Sequence, residues 1–372
     1  MRGNNVLGIL FSNSQDESVS ELTALRTMGS VPFGGRYRMI DFMLSSMVNA
    51  NIGKVGVVTN VNYQSLMDHI GSGKPWDLSR KREGLFLLPP FGHSGTGMYQ
   101  SRIEAIKNIM HFIKQSKEEY VVLADCNFAC NLDLQKALDY HSASGADITT
   151  VYNHGVVSKN VLQSLVFNVN PGGRVSDMVI SPTLSGEMDY AIHTYIMGKA
   201  LLERLINDAV SRNYTSFVQD ILQRNENSLK IMGYRVESYC APIDSLQSYY
   251  DANMALLDPA TCSSLFRKDA PIYTKIRDDM PARYGLGSNV KNCLVADGCI
   301  IDGEVENCVL FRGVHIGKDA HVKNSIIMQD SFISSGASLN HMIIDKRVTV
   351  KQNVSLSGAP TYPVYIGKGI II

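Results

Sequence analysis

The chain has 372 residues, with 35 Lys and Arg balanced by 35 Asp and Glu and 45% apolar residues. A zero formal charge argues against partners such as nucleic acid or anionic membrane, whose binding needs a surplus of cations. The length and apolar fraction rule out disorder as the main state and suggest two or three domains of about 100 to 200 residues each.

No apolar run reaches the ~18 to 20 residues of a spanning helix. Met1-Arg2-Gly3-Asn4-Asn5 leads straight into a short apolar run rather than a signal peptide, so the expected location is cytoplasmic. Seven scattered cysteines fit reduced thiols better than a disulfide framework, and Cys126 and Cys130 lack a second ligand pair for zinc.

In chain order, Val6–Phe11 reads as a first buried strand, Val55–Thr59 as a second and Tyr120–Asp125 as a third. Between the last two, Ile103, Ile106, Ile109, Met110 and Ile113 recur at helical spacing on one face. A strand over Tyr190–Met197, a helix from Ala200 to about Asn207, a strand over Ile231–Tyr239 and a helix over Ser245–Leu257 follow. Short apolar strands alternating with helices predict an α/β core with a mostly parallel sheet. This domain is assigned to residues 1–257 and an aperiodic, proline-bearing connector to 258–287.

From 288 to 372 the texture becomes short β-rich units separated by Asn, Asp and Gly. Apolar residues recur six apart at Ile316, Val322 and Met328, at Ile333 and Leu339, and at Val348 and Val354. A hexapeptide repeat predicts a parallel β-helix, here of roughly four coils, because each coil buries its aliphatics only against the next. His315 and His321, also six apart, are expected on one face of adjacent coils, a placement that would suit a hexapeptide-repeat acyltransferase, although isolated histidines on such a wall are more often solvated surface.

A phosphate is best held by a glycine-rich turn after the first strand, where bare backbone N–H groups reach it. Here that turn is Phe11-Ser12-Asn13-Ser14-Gln15-Asp16-Glu17-Ser18, with no glycine and no cation.

The stretch Val31-Pro32-Phe33-Gly34-Gly35-Arg36-Tyr37-Arg38-Met39-Ile40-Asp41-Phe42, with Leu22-Thr23 and Arg26 before it, resembles the N-terminal signature of glucose-1-phosphate adenylyltransferases. The similarity takes in Tyr249-Tyr250-Asp251-Ala252-Asn253-Met254 and the run from Asn292 to Asp330, and so covers nearly the whole chain. It implies a Rossmann-like α/β nucleotidyltransferase domain followed by a left-handed β-helix of hexapeptide repeats. It also implies the reaction of ATP and glucose-1-phosphate to ADP-glucose and pyrophosphate.

The departures from that family bear on activity. Its phosphate-binding glycines fall on Asn13, Ser14 and Asp16, its loop arginine on Ser18 and a following lysine on Met28. Its glycine-threonine-alanine-aspartate stretch becomes Ser101-Arg102-Ile103-Glu104, with Tyr99 retained, and its sugar-phosphate motif becomes Ile180-Ser181-Pro182. Tyr99, Arg26, Ser181 and Glu104 are therefore expected as remnants of the substrate pocket. Of the two carboxylates that hold Mg²⁺ in the family, Asp125 stands at the first position and Pro242 at the second, with Asp244 two residues on. Asp125 is either a remnant ligand or the cap of the next turn.

Arg26, Arg36 and Arg38 are candidates for an anion site facing a phosphorylated effector, or else pair internally with Asp41 and brace the sheet. The pattern resembles the GlgD-type subunit, which implies a catalytically impaired regulatory subunit of glycogen biosynthesis. Its expected partner is a catalytic GlgC-type subunit in a hetero-oligomer, expected as a tetramer, or a second copy of itself. The alternative is an adenylyltransferase active in its own right, using Asp125, Asp244 and an altered loop.

Overall fold

The computed structural model describes residues 1–14, 16–80, 83–90, 98–157, 165–180 and 186–372. The first unit begins with β1 (Val6–Phe11), α1 (Ser20–Thr23), the hairpin β2 (Pro32–Phe33) and β3 (Tyr37–Arg38), α2 (Met39–Asn49), β4 (Lys54–Val58) and α3 (Gln64–Ile70). It continues through β5 (Gly84–Leu88), α4 (Arg102–Asn108), α5 (Met110–Gln115), β6 (Tyr120–Asp125), β7 (Phe128–Cys130), α6 (Leu134–Ser144) and β8 (Ile148–Val157). It closes with β9 (Leu165–Val169), β10 (Val175–Ile180), β11 (Gly186–Gly198), α7 (Lys199–Ser211), β12 (Ile231–Arg235), β13 (Cys240–Pro242), α8 (Leu246–Ala255) and α9 (Pro259–Leu265).

The main sheet runs β10-β9-β11-β6-β1-β4-β5, with β8 on β11 and β12 on β8. Strands β6, β1, β4 and β5 are mutually parallel, and β11 joins β6 antiparallel. All six residues of β1 are buried, which is why it reads as a continuous apolar run rather than an alternation. The register sets Phe11 against Asp125, so the loop after β1 and the end of β6 share the carboxyl edge of the sheet, where ligands bind in such folds.

The helix expected over Ile103–Ile113 is divided at Ile109, which ends α4 and begins α5. Ile103, Ile106, Ile109 and Ile113 remain buried in one cluster, so the apolar face survives the break. The connector is not aperiodic throughout. It carries α9, whose Asp258 carboxylate accepts the Thr261 N–H and whose first residue is proline.

The C-terminal part is a left-handed β-helix of three five-stranded parallel sheets, hence five coils rather than the roughly four expected. Its first strand, Arg283–Tyr284, lies ahead of the change in texture at 288. Arg283, Ile300, His315, Phe332 and Thr349 are successive register partners in one sheet. Their spacings fall short of eighteen, which produces the slips in the six-residue repeat. Ile316, Val322, Ile333, Leu339 and Val348 share the interior cluster of the β-helix as the repeat requires, whereas Met328, expected with them, is buried outside it against the first unit.

At one corner Asn292, Asn307 and Asn324 take φ of 49°, 51° and 45°, the left-handed region that asparagine tolerates better than most residues. Their amides form a ladder, Asn292 to Asn307 at 2.8 Å, Asn307 to Asn324 at 3.3 Å and Asn324 to Asn340 at 3.0 Å. His315 and His321 lie on two different sheets of one coil, not on one face of adjacent coils, because six residues turn a corner. His315 stacks on Phe332 and His321 accompanies Glu304.

The third sheet of the β-helix packs on the first unit. Val309, Phe311, Ile326, Met328 and Ile343 share one buried cluster with Phe33, Met39, Tyr249 and Tyr250. The Tyr250 hydroxyl donates to Asn324 O at 2.7 Å and that of Tyr249 to Pro32 O at 2.7 Å. Among the described residues no helix is long and apolar enough to cross a membrane.

Candidate functional site

The loop after β1 is closed on itself. The Asp16 carboxylate accepts the Met28 N–H at 2.7 Å through one oxygen and the Asn13 amide at 2.7 Å through the other. The Asn13 carbonyl in turn accepts the Asn60 N–H at 2.7 Å, and the Ser12 hydroxyl donates to Val58 O at 2.9 Å. Burial pushes the Asp16 carboxyl up to about 6, against the pull of its two hydrogen bonds. A backbone N–H and an amide that could meet a phosphate are thus taken by an internal carboxylate. Met28, at the lysine position, is fully buried in the apolar cluster beneath the β-helix.

Asp125, at the end of β6, is 3% exposed and forms an ion pair with Arg102 of α4. Its carboxylate is therefore committed to a cation of the chain itself. Ser101 sets up this contact: its hydroxyl accepts the Glu104 N–H, fixing the first turn of α4 and launching Arg102 back toward the sheet. The guanidinium lies 4.7 Å from the Phe11 ring centroid, with Tyr195 at 6.0 Å and Phe217 at 5.8 Å.

His193 stands beside this pair. A register shift in β11 between Ala191 and Thr194 marks a bulge, and His193 there takes φ 49°. Burial lowers its imidazole to about 4, with Asp125 opposing and Arg102 assisting, so the ring is neutral at physiological pH. Its Nδ1 lies 3.2 Å from the Tyr195 hydroxyl.

These residues do not fit Mg²⁺. Asp125 is engaged by a cation already present, and Pro242, which pairs with Phe128 across the β7–β13 ladder, offers no carboxylate. The Asp244 carboxylate is held at the start of α8 by the Ser245 and Ser248 hydroxyls, and burial raises its pKa. Among the described residues no group of three His, Cys, Asp or Glu is placed to hold a metal.

The other expected remnants are dispersed. Tyr99 lies near Asp16, its carbonyl accepting the Asn60 amide at 3.0 Å, and burial holds its phenol well above the usual range. Glu104 is exposed and turned back onto the Gln100 N–H at 2.8 Å as part of the helix start. Ser181 lies outside the described residues.

The three arginines divide. Arg26 is buried, 4% exposed, and pairs at 2.6 Å with Asp345 of the β-helix, which also accepts the Tyr365 hydroxyl at 2.6 Å. Its partner is not Asp41, which instead meets His69 at 2.6 Å and the Arg38 N–H at 3.0 Å. Arg38 donates to Ser65, and burial lowers its pKa to about 10. Arg36 is exposed, 5.6 Å from the Tyr37 ring centroid, and faces Arg312 instead. Sequence reasoning missed Lys346, in the turn after Asp345. Burial first, then Arg38 and Arg26, lower its ammonium to about 6, with Lys368 also nearby. Arg26, Arg38, Lys346 and Lys368 thus gather at the junction of the two units.

A nucleotidyltransferase-type sheet whose carboxyl edge carries the loop after β1, joined to a hexapeptide β-helix, defines the class. A family described as Nucleotidyl transferase matches residues 18–258, and one described as GlmU-like, C-terminal hexapeptide matches 279–359. The chain belongs to the glucose-1-phosphate adenylyltransferase family, within which it groups with proteins named for GlgD. It is 36% identical over 372 residues to a glycogen biosynthesis protein GlgD of Bacillus subtilis (strain 168), covering 100% of this chain and 98% of that one. It is 37% identical over 323 residues to a glycogen biosynthesis protein GlgD of Geobacillus stearothermophilus, covering 86% and 83%. To a glucose-1-phosphate adenylyltransferase of Halalkalibacterium halodurans it is 30% identical over 368 residues, covering 92% and 96%.

Proposed function

We propose that this chain is a GlgD-type subunit acting in glycogen biosynthesis, with little or no adenylyltransferase activity of its own. It modulates a catalytic GlgC-type subunit within a cytoplasmic heterotetramer. The relatives named GlgD support the pathway. The observation that carries the impairment is the loop after β1, where Asp16 takes the Met28 N–H and the Asn13 amide. An incoming triphosphate would have to displace a carboxylate from its hydrogen bonds and meet uncharged Ser18 and Met28 where cations are needed. Lost phosphate donors of this kind cost about 3 to 4 kcal/mol of transition-state stabilisation each.

The test mixes purified chain with ATP, glucose-1-phosphate and Mg²⁺, alone and with a catalytic GlgC-type subunit, and follows pyrophosphate release. Alone, the chain is expected to show no turnover above background. With its partner, the rate or its response to effectors changes. Robust turnover by the isolated chain would defeat the reading.

The cation cluster at the domain junction supports regulation by a phosphorylated effector. Arg38, Lys346 and Lys368 meet the ligand, while Arg26 remains tied to Asp345. A free chain with Lys346 near 6 is neutral there at pH 8, so an anion must bring a proton with it. Binding of sulfate, which does not itself titrate in this range, is therefore expected to weaken as pH rises from 6 to 8, by up to about tenfold per unit. Calorimetry in buffers of different ionisation enthalpy checks both the trend and the proton uptake. An affinity independent of pH, or unchanged by Lys346→Gln, removes Lys346 from the site.

A further inference from the structure

Asp125 is a nearly buried carboxylate, 3% exposed, and a charge in that position requires a counter-charge. In a nucleotidyltransferase of this family that need coincides with Mg²⁺, and the residues here do not suit it. The structure supplies something else at the same place. Arg102 enters from the first turn of α4 and pairs with Asp125, its own side chain only 16% exposed. Three aromatic rings, Phe11, Tyr195 and Phe217, lie within 6.0 Å of its guanidinium carbon.

We infer that Arg102 is a resident cation that has taken over the place of the metal, so that Asp125 is committed to the guanidinium and the pocket is closed to divalent ions. A guanidinium suits these surroundings where Mg²⁺ does not. It is planar, delocalised and weakly hydrated, so it can lie against ring faces out of water. Mg²⁺ demands an octahedron of oxygens and keeps several of its waters, for which a site already filled by the guanidinium has no room. A second cation would also meet the fixed charge of Arg102 at short range.

His193 completes the closure. It sits beside the pair on the β11 bulge, occupying space with a bulky ring rather than adding a carboxylate oxygen. Pro242, at the position of the family's second carboxylate, supplies no ligand. The inference deepens the reading of an impaired subunit and rests on the family assignment beneath it. It concerns metal alone, so each can fail without the other.

The experiment is a Mn²⁺ titration of the full chain without substrate or partner. Free Mn²⁺ is followed by electron paramagnetic resonance, and the thermal midpoint is measured with and without the ion. Wild type and Asp125→Asn are expected to behave alike, with no binding that depends on Asp125 up to millimolar Mn²⁺. Arg102→Thr is expected to gain a site at least tenfold tighter than any in wild type. The gain should disappear in the double variant Arg102→Thr, Asp125→Asn, and Arg102→Lys, which keeps the charge, should match wild type. If Arg102→Thr does not fold, Arg102→Gln, which keeps length and a hydrogen bond to Asp125, decides by the same criterion. A wild-type site abolished by Asp125→Asn overturns the inference, as does a folded uncharged variant that gains no Mn²⁺ binding.

Discussion

Replacing Asp345 by alanine is expected to cost about 3 to 5 kcal/mol of stability, one of the largest losses any single substitution in this chain should produce. The carboxylate is 1% exposed and neutralises Arg26, itself 4% exposed, across the junction of the two units. Its removal leaves a buried guanidinium unpaired and strips the Tyr365 hydroxyl of its acceptor. Removing one member of a buried pair is far costlier than replacing both, so Asp345→Leu with Arg26→Met should recover much of the loss. Urea unfolding of the three proteins checks this. A single variant within 1 kcal/mol of wild type would mean that the junction is not held by this pair.

Phe311→Ala should be comparably damaging, by about 3 to 5 kcal/mol. Phe311 is fully buried, and its cluster joins β-helix residues Val309, Ile326 and Ile343 to Phe33, Met39 and Tyr249 of the first unit. Truncating a ring there loses its transfer free energy and leaves a cavity that two rigid surfaces, a β-helix wall and the packed face of α8, cannot collapse to fill. The urea midpoint is expected to fall while the slope of the transition is kept, because the same surface is exposed on unfolding. A drop of less than about 1 kcal/mol would show that the wall yields.

What the sequence made legible follows from where the physics is local. β1 and β6 announce themselves because both are buried on two faces and read as unbroken apolar runs. The β-helix shows because each inward position repeats the same demand every coil. The first coil was missed because Arg283 and Tyr284 are exposed and nothing apolar marks them. The altered phosphate loop was legible as missing glycines, yet not that Asp16 would fill it, since that needs Met28 brought alongside.

Arg102 was noted only as a departure from the family pattern. Its meeting with Asp125 joins residues 23 apart and depends on how α4 lies on the sheet, which no short-range pattern encodes. His193 faces the pocket because of a bulge, and two extra residues in a strand leave no compositional trace. Arg26 is expected from the sequence as a pocket remnant or part of an anion site, but its partner lies 319 residues away in a β-helix turn. Residues 26, 36 and 38 are close in sequence, yet the hairpin turns Arg36 away from the other two.

The pairing of Arg26 with Asp345 has a consequence for how this chain can vary in length. Asp345 closes the fourth coil of the β-helix, immediately after the strand Met342–Ile344. Successive coils are stacked about 4.8 Å apart. Deleting or duplicating a whole coil upstream would preserve every ladder within the stack, yet carry Asp345 one step along the axis and out of reach of a 2.6 Å contact. The fifth coil is tied to the same place through Tyr365, which donates to Asp345, and through Pro360, which accepts from Gln247. The junction therefore acts as a ruler for the coils up to the fifth, and only coils added past it would escape the constraint.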